Sequence, residues 1–501
     1  MHVTTTSRRR LLAGGSAVVG LAGMGAAATA FGDEGRTAGA LEPDRGKQSR
    51  RTPNFVLVLA DDLGHGEVGA YGQRLIATPR LDEIAAGGLR FTQAYAPAPV
   101  CAPSRCSMLT GLHSGHATVR TNPFRGGQPG LGDDDTTFAE LLSERGYRTA
   151  CIGKWGFGPE EADQPSHPNR RGFQEFYGYI SHGAAHDYYP AELWDNGRPV
   201  PVPANRGDER GSYAPELFRQ RALDFVSRQA ADDKPFLLYL APTTPHAPSR
   251  EVDHGDYAGH PWPEADRGHA AQVSHLDALV GDLVDLLRAE GLAEDTVLLV
   301  SSDNGAHEEG GTDPERFDAN GSLRGYKRNL YEGGIRVPLI AWAPSRIAPG
   351  SETGRRTPLT DMLPTLAELA GAKVPGGLDG LSLAGLIGGD RSPPHPYLYW
   401  YRNDPHTSPR AQAADRGRGR RACEALRQGD WKAVRFAPAR DRSAPDDSWD
   451  VELYNLRDDP GERRNVAAEH PRTVKRLVAL MHEAWRDPAL PAPTDRPPVH
   501  A

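Results

Sequence analysis

Apolar residues along this chain gather into short unbroken runs. Phe55 to Ala60 (FVLVLA), Phe236 to Leu240 (FLLYL), Val297 to Ser301 (VLLVS) and Val337 to Trp342 each read as a strand buried on both faces. Thr149 to Ile152 reads as a further strand. Helical patterns lie between them, at Phe138 to Arg145, Ala270 to Glu290 and Asp361 to Gly371, the last stopped by its glycine. Strands alternating with helices predict an α/β domain built on a mostly parallel sheet. Past about Leu386 the pattern changes. Short strands near Tyr397 to Tyr401, Trp431 to Phe436 and Glu452 to Tyr454, then a helix from about Pro471 to Trp485, predict a smaller C-terminal α+β domain. The charged stretches Asp404 to Arg421 and Ala437 to Ser448 read as solvated, mobile loops without chemistry. There is no internal repeat.

The N-terminus follows neither pattern. Ser7-Arg8-Arg9-Arg10-Leu11-Leu12 precedes an uncharged Gly/Ala-rich stretch to Gly32, and Ala28-Thr29-Ala30 supplies a cleavage site. This reads as a twin-arginine export signal. The stretch is about long enough to anchor in a membrane, but it is weakly apolar. The expected organisation is a signal over 1–30, a disordered linker over 31–52, a catalytic domain over 53–385, a smaller domain over 386–490 and a tail over 491–501. The expected location is periplasmic or extracellular, reached through the twin-arginine machinery. With 501 residues and a net charge of −8, the chain lacks the basic excess of a nucleic-acid-binding surface. A few cations in a pocket can still oppose that global sign. Four cysteines are too few for a disulfide scaffold of this size, and sequence cannot pair Cys106, Cys151 and Cys423.

Chemistry collects at the strand ends. FVLVLA runs into Asp61-Asp62, VLLVS into Asp303-Asn304, the strand near Thr149 into Lys154, and FLLYL toward His246. Ligands of open α/β sheets bind outside the carboxyl ends of the strands, so these loops can share one site. Three carboxylates and an amide make an all-oxygen cluster suited to Ca²⁺ or Mg²⁺, and no zinc-type spacing is present. The segment Cys101-Ala102-Pro103-Ser104-Arg105 places Pro103 in a first helical turn. Cys101 then sits at a helix N-terminus, where backbone N–H groups favour an anion, with Arg105 beside it. An isolated cysteine would be read as a buried structural one.

With these residues the chain resembles the type I sulfatase family. Cys101 to Arg105 matches the family's C-x-P-S-R core, and Leu109-Thr110-Gly111 its continuation. The resemblance runs from about Pro53 to Ala467. It includes Asp61-Asp62-Leu63-Gly64, Gly153-Lys154-Trp155, Pro245-His246-Ala247-Pro248 and Ser302-Asp303-Asn304-Gly305. It continues through Arg324-Gly325-Tyr326-Lys327, Tyr331 to Pro338, Leu453-Tyr454-Asn455-Leu456 and Asp458 to Glu462. The resemblance implies an alkaline-phosphatase-like fold and a sulfuric ester hydrolase acting on a carbohydrate or aryl sulfate. It implies that a maturation enzyme oxidises Cys101 to Cα-formylglycine. It implies one Ca²⁺, with Mg²⁺ the second choice, held by Asp61, Asp62, Asp303, Asn304 and modified Cys101. Arg105 and Lys154 would then hold the nucleophile and the sulfate, with His246 and Lys327 on the leaving-group side.

The chemistry implied is one displacement at sulfur followed by an elimination. One hydroxyl of the hydrated aldehyde attacks sulfur, His246 or Lys327 protonates the departing alcohol, and the second hydroxyl collapses to expel sulfate. One departure matters. Gly156 stands where many members of the family carry a histidine. His186, with His182 second, is the expected replacement, in a His-x-Tyr-Tyr-Pro segment (His186 to Pro190) like that of some sulfatases with glycine there. Packing or substrate contact is the competing reading of both. Two rival functions are a phosphomonoester or phosphonate monoester hydrolase on the same fold, and a non-catalytic sulfated-ligand-binding homologue. Substrate choice is expected to lie in the loops His182 to Asn205, Ser249 to His269 and Asp404 to Arg421.

Overall fold

The computed structural model describes residues 52–123, 127–250 and 252–487. The expected export signal, the linker up to residue 51 and the tail lie outside the described residues. Among those described, no helix is long and apolar enough to cross a membrane.

The large sheet is built from β1 (Asn54–Ala60), β2 (Leu89–Tyr95), β3 (Arg148–Lys154), β4 (Glu175–Tyr179), β5 (Glu192–Asp195) and β6 (Arg198–Pro201), together with β7 (Phe236–Ala241), β8 (Thr296–Ser302), β9 (Arg336–Trp342), β10 (Ser351–Thr353) and β11 (Thr357–Pro358). Their order is β10-β2-β9-β8-β1-β7-β3-β4-β5-β6, with β11 also on β2. The centre, β8-β1-β7-β3-β4, is parallel, while β9 runs antiparallel to both β8 and β2 and β5 antiparallel to β4. The sheet is therefore mixed and mostly parallel, as expected.

The unbroken apolar runs have a direct cause. Phe55, Leu57 and Leu59 point into one core, with Leu237, Tyr239 and Leu299. Val56, Val58 and Ala60 point into the other, with Leu238, Leu240 and Val300. Side chains alternate faces along a strand, so a strand covered on both sides must be apolar at every position. Helices Cys101–Thr110 and Met362–Leu369 cover the first face, and Pro79–Ala86, Ala214–Gln229 and Glu264–Ala289 the second. The helix expected from Ala270 begins six residues earlier, where Glu264 and Asp266 suit its first turn but hide its apolar period.

The smaller sheet is antiparallel, in the order β12 (Leu398–Arg402), β13 (Cys423–Gln428), β14 (Trp431–Phe436), β15 (Asp450–Asn455). One face takes Leu477 and Met481 of helix Pro471–Glu483. The other packs Trp400, Val434 and Tyr454 against Tyr95, Tyr331 and Ile335 of the larger domain. The segment Asp404 to Arg421 departs from the expected solvated loop. It contains helix Pro409–Ala414, buries Asp404 and Asp415, and pairs Asp415 with Arg402 at 2.9 Å. Part of its charge is turned inward, which composition alone does not reveal. Ala437 to Ser448 is mostly exposed, as expected.

Between the two sheets lies a buried ion cluster. Lys432 Nζ is 2.9 Å from Glu332 Oε1 and 2.9 Å from Glu462 Oε1. Burial would raise the Glu332 carboxyl, but Lys432 and Arg427 hold it at about 2. Replacing Lys432 by Met leaves two buried carboxylates without their shared cation. Lys432→Met is expected to lower the unfolding free energy by about 3–5 kcal/mol, measured by urea denaturation. A loss under about 1 kcal/mol would show that the cluster does not hold the sheets together.

Candidate active site

The carboxyl ends of β8, β1, β7 and β3 lie side by side in the sheet and deliver Asp303-Asn304, Asp61-Asp62, the His246 loop and Lys154 to one place. Helix Cys101–Thr110 enters with Cys101 as its first residue, and Arg105 one turn on. Lys327 arrives from the loop before β9.

The contacts are close and nearly all buried. Cys101 Sγ is 3.3 Å from Asp61 Oδ1 and 3.9 Å from Asp62 Oδ1. Lys154 Nζ donates to Asp61 Oδ2 at 2.6 Å. Arg105 donates to Asp303 Oδ2 through Nε at 2.9 Å and lies 2.7 Å from it through a terminal nitrogen. Lys327 Nζ donates to Asp62 Oδ2 at 2.8 Å, to His246 Nε2 at 2.9 Å and to Glu309 Oε2 at 2.8 Å. Asn304 Nδ2 donates to Asp62 Oδ1 at 2.7 Å. The backbone helps: Asp62 takes a left-handed φ of 69°, and its N–H donates to Asp303 Oδ1. Such a conformation persists in a non-glycine residue only where its surroundings over-determine it.

Charge explains the electrostatics. Burial alone would raise Asp61 and Asp62, but Lys154 holds Asp61, and Lys327 holds Asp62, below the usual carboxylate range. Burial and the neighbouring Asp61 push Asp303 up to about 7 despite Arg105. Burial and Asp61 push the Cys101 thiol well above its ordinary value, so an unaltered cysteine here stays protonated and a poor nucleophile. Asp61, Asp62 and Asp303 are balanced by Arg105, Lys154 and Lys327, so a divalent cation would give the pocket a net positive charge suited to an anionic ester. The donor set fits a hard cation. Asn304 Oδ1 is buried with no hydrogen-bond partner beside these carboxylates, and such an orphan acceptor is what an oxygen-loving ion satisfies.

The histidines form a row. His186 stacks on His246 with centroids 4.4 Å apart, His182 meets His186 edge-on at 4.8 Å, and His307 lies beyond His246 at 5.9 Å. His246 Nδ1 bonds Ala247 O at 2.6 Å, which puts its proton on Nδ1 and leaves Nε2 to accept from Lys327. His186 Nε2 and His182 Nδ1 are buried without hydrogen-bond partners. Burial, then neighbouring cations and imidazoles, lowers His186 to about 3, and burial and Lys154 hold His182 well below its ordinary value. Both rings are neutral. Gly156 has a φ of +98°, and a Cβ there would stand 3.1 Å from Arg105 Cδ. A side chain at that position would be strained and would press on Arg105.

Thus Asp61, Asp62, Cys101, Arg105, Lys154, His246, Asp303, Asn304 and Lys327 all meet, with His186 and His182 stacked alongside. Sequence reasoning missed Glu309. Its carboxylate spans Lys327 and Arg328, with Oε1 2.5 Å from Arg328, and Oε2 lies 3.3 Å from His246 Nε2. Burial would raise Glu309, but Lys327 and Arg328 hold it far below the usual range. It follows the Asp303-Asn304 strand end by only a few residues, and that proximity was the available signal. Tyr188 was also missed; its hydroxyl reaches Thr243 O at 2.7 Å and His246 O at 2.6 Å and so fixes the His246 loop. All four cysteines are buried and unpaired.

Residues 53–372 match the family model described as Sulfatase, and residues 324–487 match one described as N-sulphoglucosamine sulphohydrolase, C-terminal. The chain is 35% identical to arylsulfatase A of Homo sapiens over 86% of this chain and 87% of that protein. It is 31% identical to steryl-sulfatase of Mus musculus over 92% of this chain and 86% of that one. It resembles the crystal structure of Ps i-CgsB in complex with k-i-k-neocarrahexaose, with a TM-score of 0.71 and 28% identity over 87% of this chain and 94% of the other.

Proposed function

The chain belongs to the type I sulfatase family and is a sulfuric ester hydrolase, and on that premise we propose that it acts with Cys101 as Cα-formylglycine and one calcium ion on a carbohydrate or aryl sulfate. The observation that carries this reading is Cys101 Sγ lying 3.3 Å from Asp61 in a buried ring of carboxylates and cations. Asp61, Asp62, Asp303 and Asn304 would hold the calcium, which supplies positive charge against the sulfate oxygens. The formylglycine hydrate supplies two hydroxyls on one carbon, one to attack sulfur and one to let the aldehyde re-form as sulfate leaves.

The other residues do the rest. Arg105 and Lys154 flank the nucleophile and place fixed positive charge where the ester oxygens crowd, which removes their repulsion of an incoming oxygen. Lys327 is held protonated: burial would lower it, but Asp62 and Glu309 keep it well above its ordinary value. Its ammonium stores the proton for the departing alcohol, delivered directly or through His246 Nε2, which already accepts from it. His186 serves as the base that the family's missing histidine would have been, with His182 behind it. Its neutral ring, its unpartnered Nε2 and the glycine at 156 support that role. Carbohydrate substrates are supported by the oligosaccharide bound to the solved relative. Maturation before export by the twin-arginine route to the periplasm or cell exterior completes the proposal. It is supported by Arg8-Arg9-Arg10 and the Gly/Ala-rich stretch that follows.

Cys101→Ala is expected to cut sulfate release by about 10⁴-fold or more. In the wild-type protein, the peptide carrying Cys101 should be lighter by the difference between a thiol and an aldehyde in mass spectrometry. Normal turnover by the variant, or an unaltered cysteine in fully active enzyme, defeats the formylglycine reading. Chelation should abolish activity, with calcium restoring it better than magnesium; retention of full rate in chelator rules the ion out.

His186→Ala is expected to lower kcat about 10²-fold on an aryl sulfate, and His182→Ala less. If both variants turn over like the wild type, neither ring replaces the absent histidine.

A further inference from the structure

We propose that Glu309 and Arg328 form a saccharide-reading pair beside the scissile oxygen, selecting sulfate esters whose adjacent ring carbon carries a free hydroxyl. This rests on the sulfatase reading above and names a narrower substrate class for the same site.

Glu309 Oε2 is 2.8 Å from Lys327 Nζ and 3.3 Å from His246 Nε2. Asp62 Oδ2 is nearly as close to both groups but wholly buried, so an alcohol served by Lys327 and His246 would meet Glu309 on its more open side. The side chain of Glu309 is 23% exposed, whereas Asp61, Asp62 and Asp303 are wholly buried. It is therefore the carboxylate of this group that reaches solvent, where the rest of a substrate would project.

An anionic carboxylate at that position is a poor device for binding sulfate and a good one for reading what is attached to it. A hydroxyl on the neighbouring carbon donates to it. An aryl or steroid C–H at the same place would desolvate the carboxylate and return no hydrogen bond. A second anionic group there is repelled. Arg328 supplies the opposite polarity. Its guanidinium lies 2.5 Å from Glu309 Oε1, and its Nε is buried without a hydrogen-bond partner. Arg328 also takes a left-handed φ of 81°, a conformation costly for a residue with a Cβ and one that clusters at ligand clamps. The pair thus offers an acceptor and a donor side by side, the complement of a ring hydroxyl. Sites built to hydrogen-bond a substrate hydroxyl reject analogues lacking it strongly, because their buried polar groups are left unpaired.

The test compares three esters on the matured, calcium-loaded enzyme. They are 4-nitrophenyl sulfate, the best-cleaved member of a set of pyranose monosulfates, and that same sugar sulfate with its flanking hydroxyl removed. The wild type should lose about tenfold or more in kcat/KM on deoxygenation. Glu309→Gln should be nearly indifferent to that change, and its saccharide-to-aryl ratio of kcat/KM should fall at least tenfold. Arg328→Lys, which keeps the charge but loses the fork, should shift the same ratio in the same direction. If Glu309 only steadied Lys327, both esters would slow equally and the ratio would hold; that result overturns the proposal. A wild type indifferent to the flanking hydroxyl overturns it as well. Release of sulfate from none of the esters would instead overturn the sulfatase reading on which it stands.

Discussion

Three carboxylates and three cations are buried together at the ends of four adjacent strands, and the rest of the structure serves to hold that balance. Asp61, Asp62 and Asp303 are completely removed from solvent, as are Arg105 and Lys154, and Lys327 nearly so. Removing any such ion from water costs several kcal/mol and is repaid only by well-placed partners. Each carboxylate therefore has its own cation: Lys154 on Asp61, Lys327 on Asp62, Arg105 on Asp303. Those cations come from the end of a strand, a distant loop and the helix that carries Cys101. The balance can exist only in the folded chain, and a small shift of any one element would strand a charge.

That demand explains the rigidity around the site. The strands that carry these carboxylates are packed on both faces, with alternate side chains committed to separate cores. The helix beginning at Cys101 is buried along its whole length. Tyr188 ties the His246 loop to the chain before it. The smaller sheet is joined by the same device as the active site, a buried lysine shared between two carboxylates. It sits against the segment from Leu330 to Ile335, directly after the loop bearing Lys327 and Arg328. The smaller sheet is thus joined by a short stretch of chain to the Lys327 side of the pocket.

The central strands were legible because burial on both faces forces unbroken apolar runs, and the polar residues ending those runs were legible because ligands gather there. Leu89 to Tyr95 was not, since at a sheet margin it mixes Arg90, Thr92 and Gln93 with its buried positions. Helix Ala214–Gln229 escaped for a related reason: its exposed face carries so many charged residues that the apolar stripe of Phe218, Ala222, Phe225 and Val226 is diluted. Asp415 looked solvated because its partner, Arg402, is invisible until the chain folds. Glu309 was overlooked on the same ground. An acidic residue in a glycine-rich loop is ordinarily a solvated one, and only three-dimensional proximity to Lys327 and Arg328 distinguishes it.

Gly156 and His186 are best understood as two halves of one arrangement. Arg105 must reach Asp303 past the backbone at 156, and the positive φ there leaves no room for a Cβ without pressing on the guanidinium stem. The loop that carries His186 brings a further imidazole to the site by stacking the ring flat on His246. Burial, then the neighbouring His246 ring and the site's lysines, lowers His186 and keeps it neutral, and its Nε2 has no hydrogen-bond partner. The glycine thus lets Arg105 keep its place against Asp303 without a Cβ pressing on its stem, and the imidazoles of the site gather instead around His246.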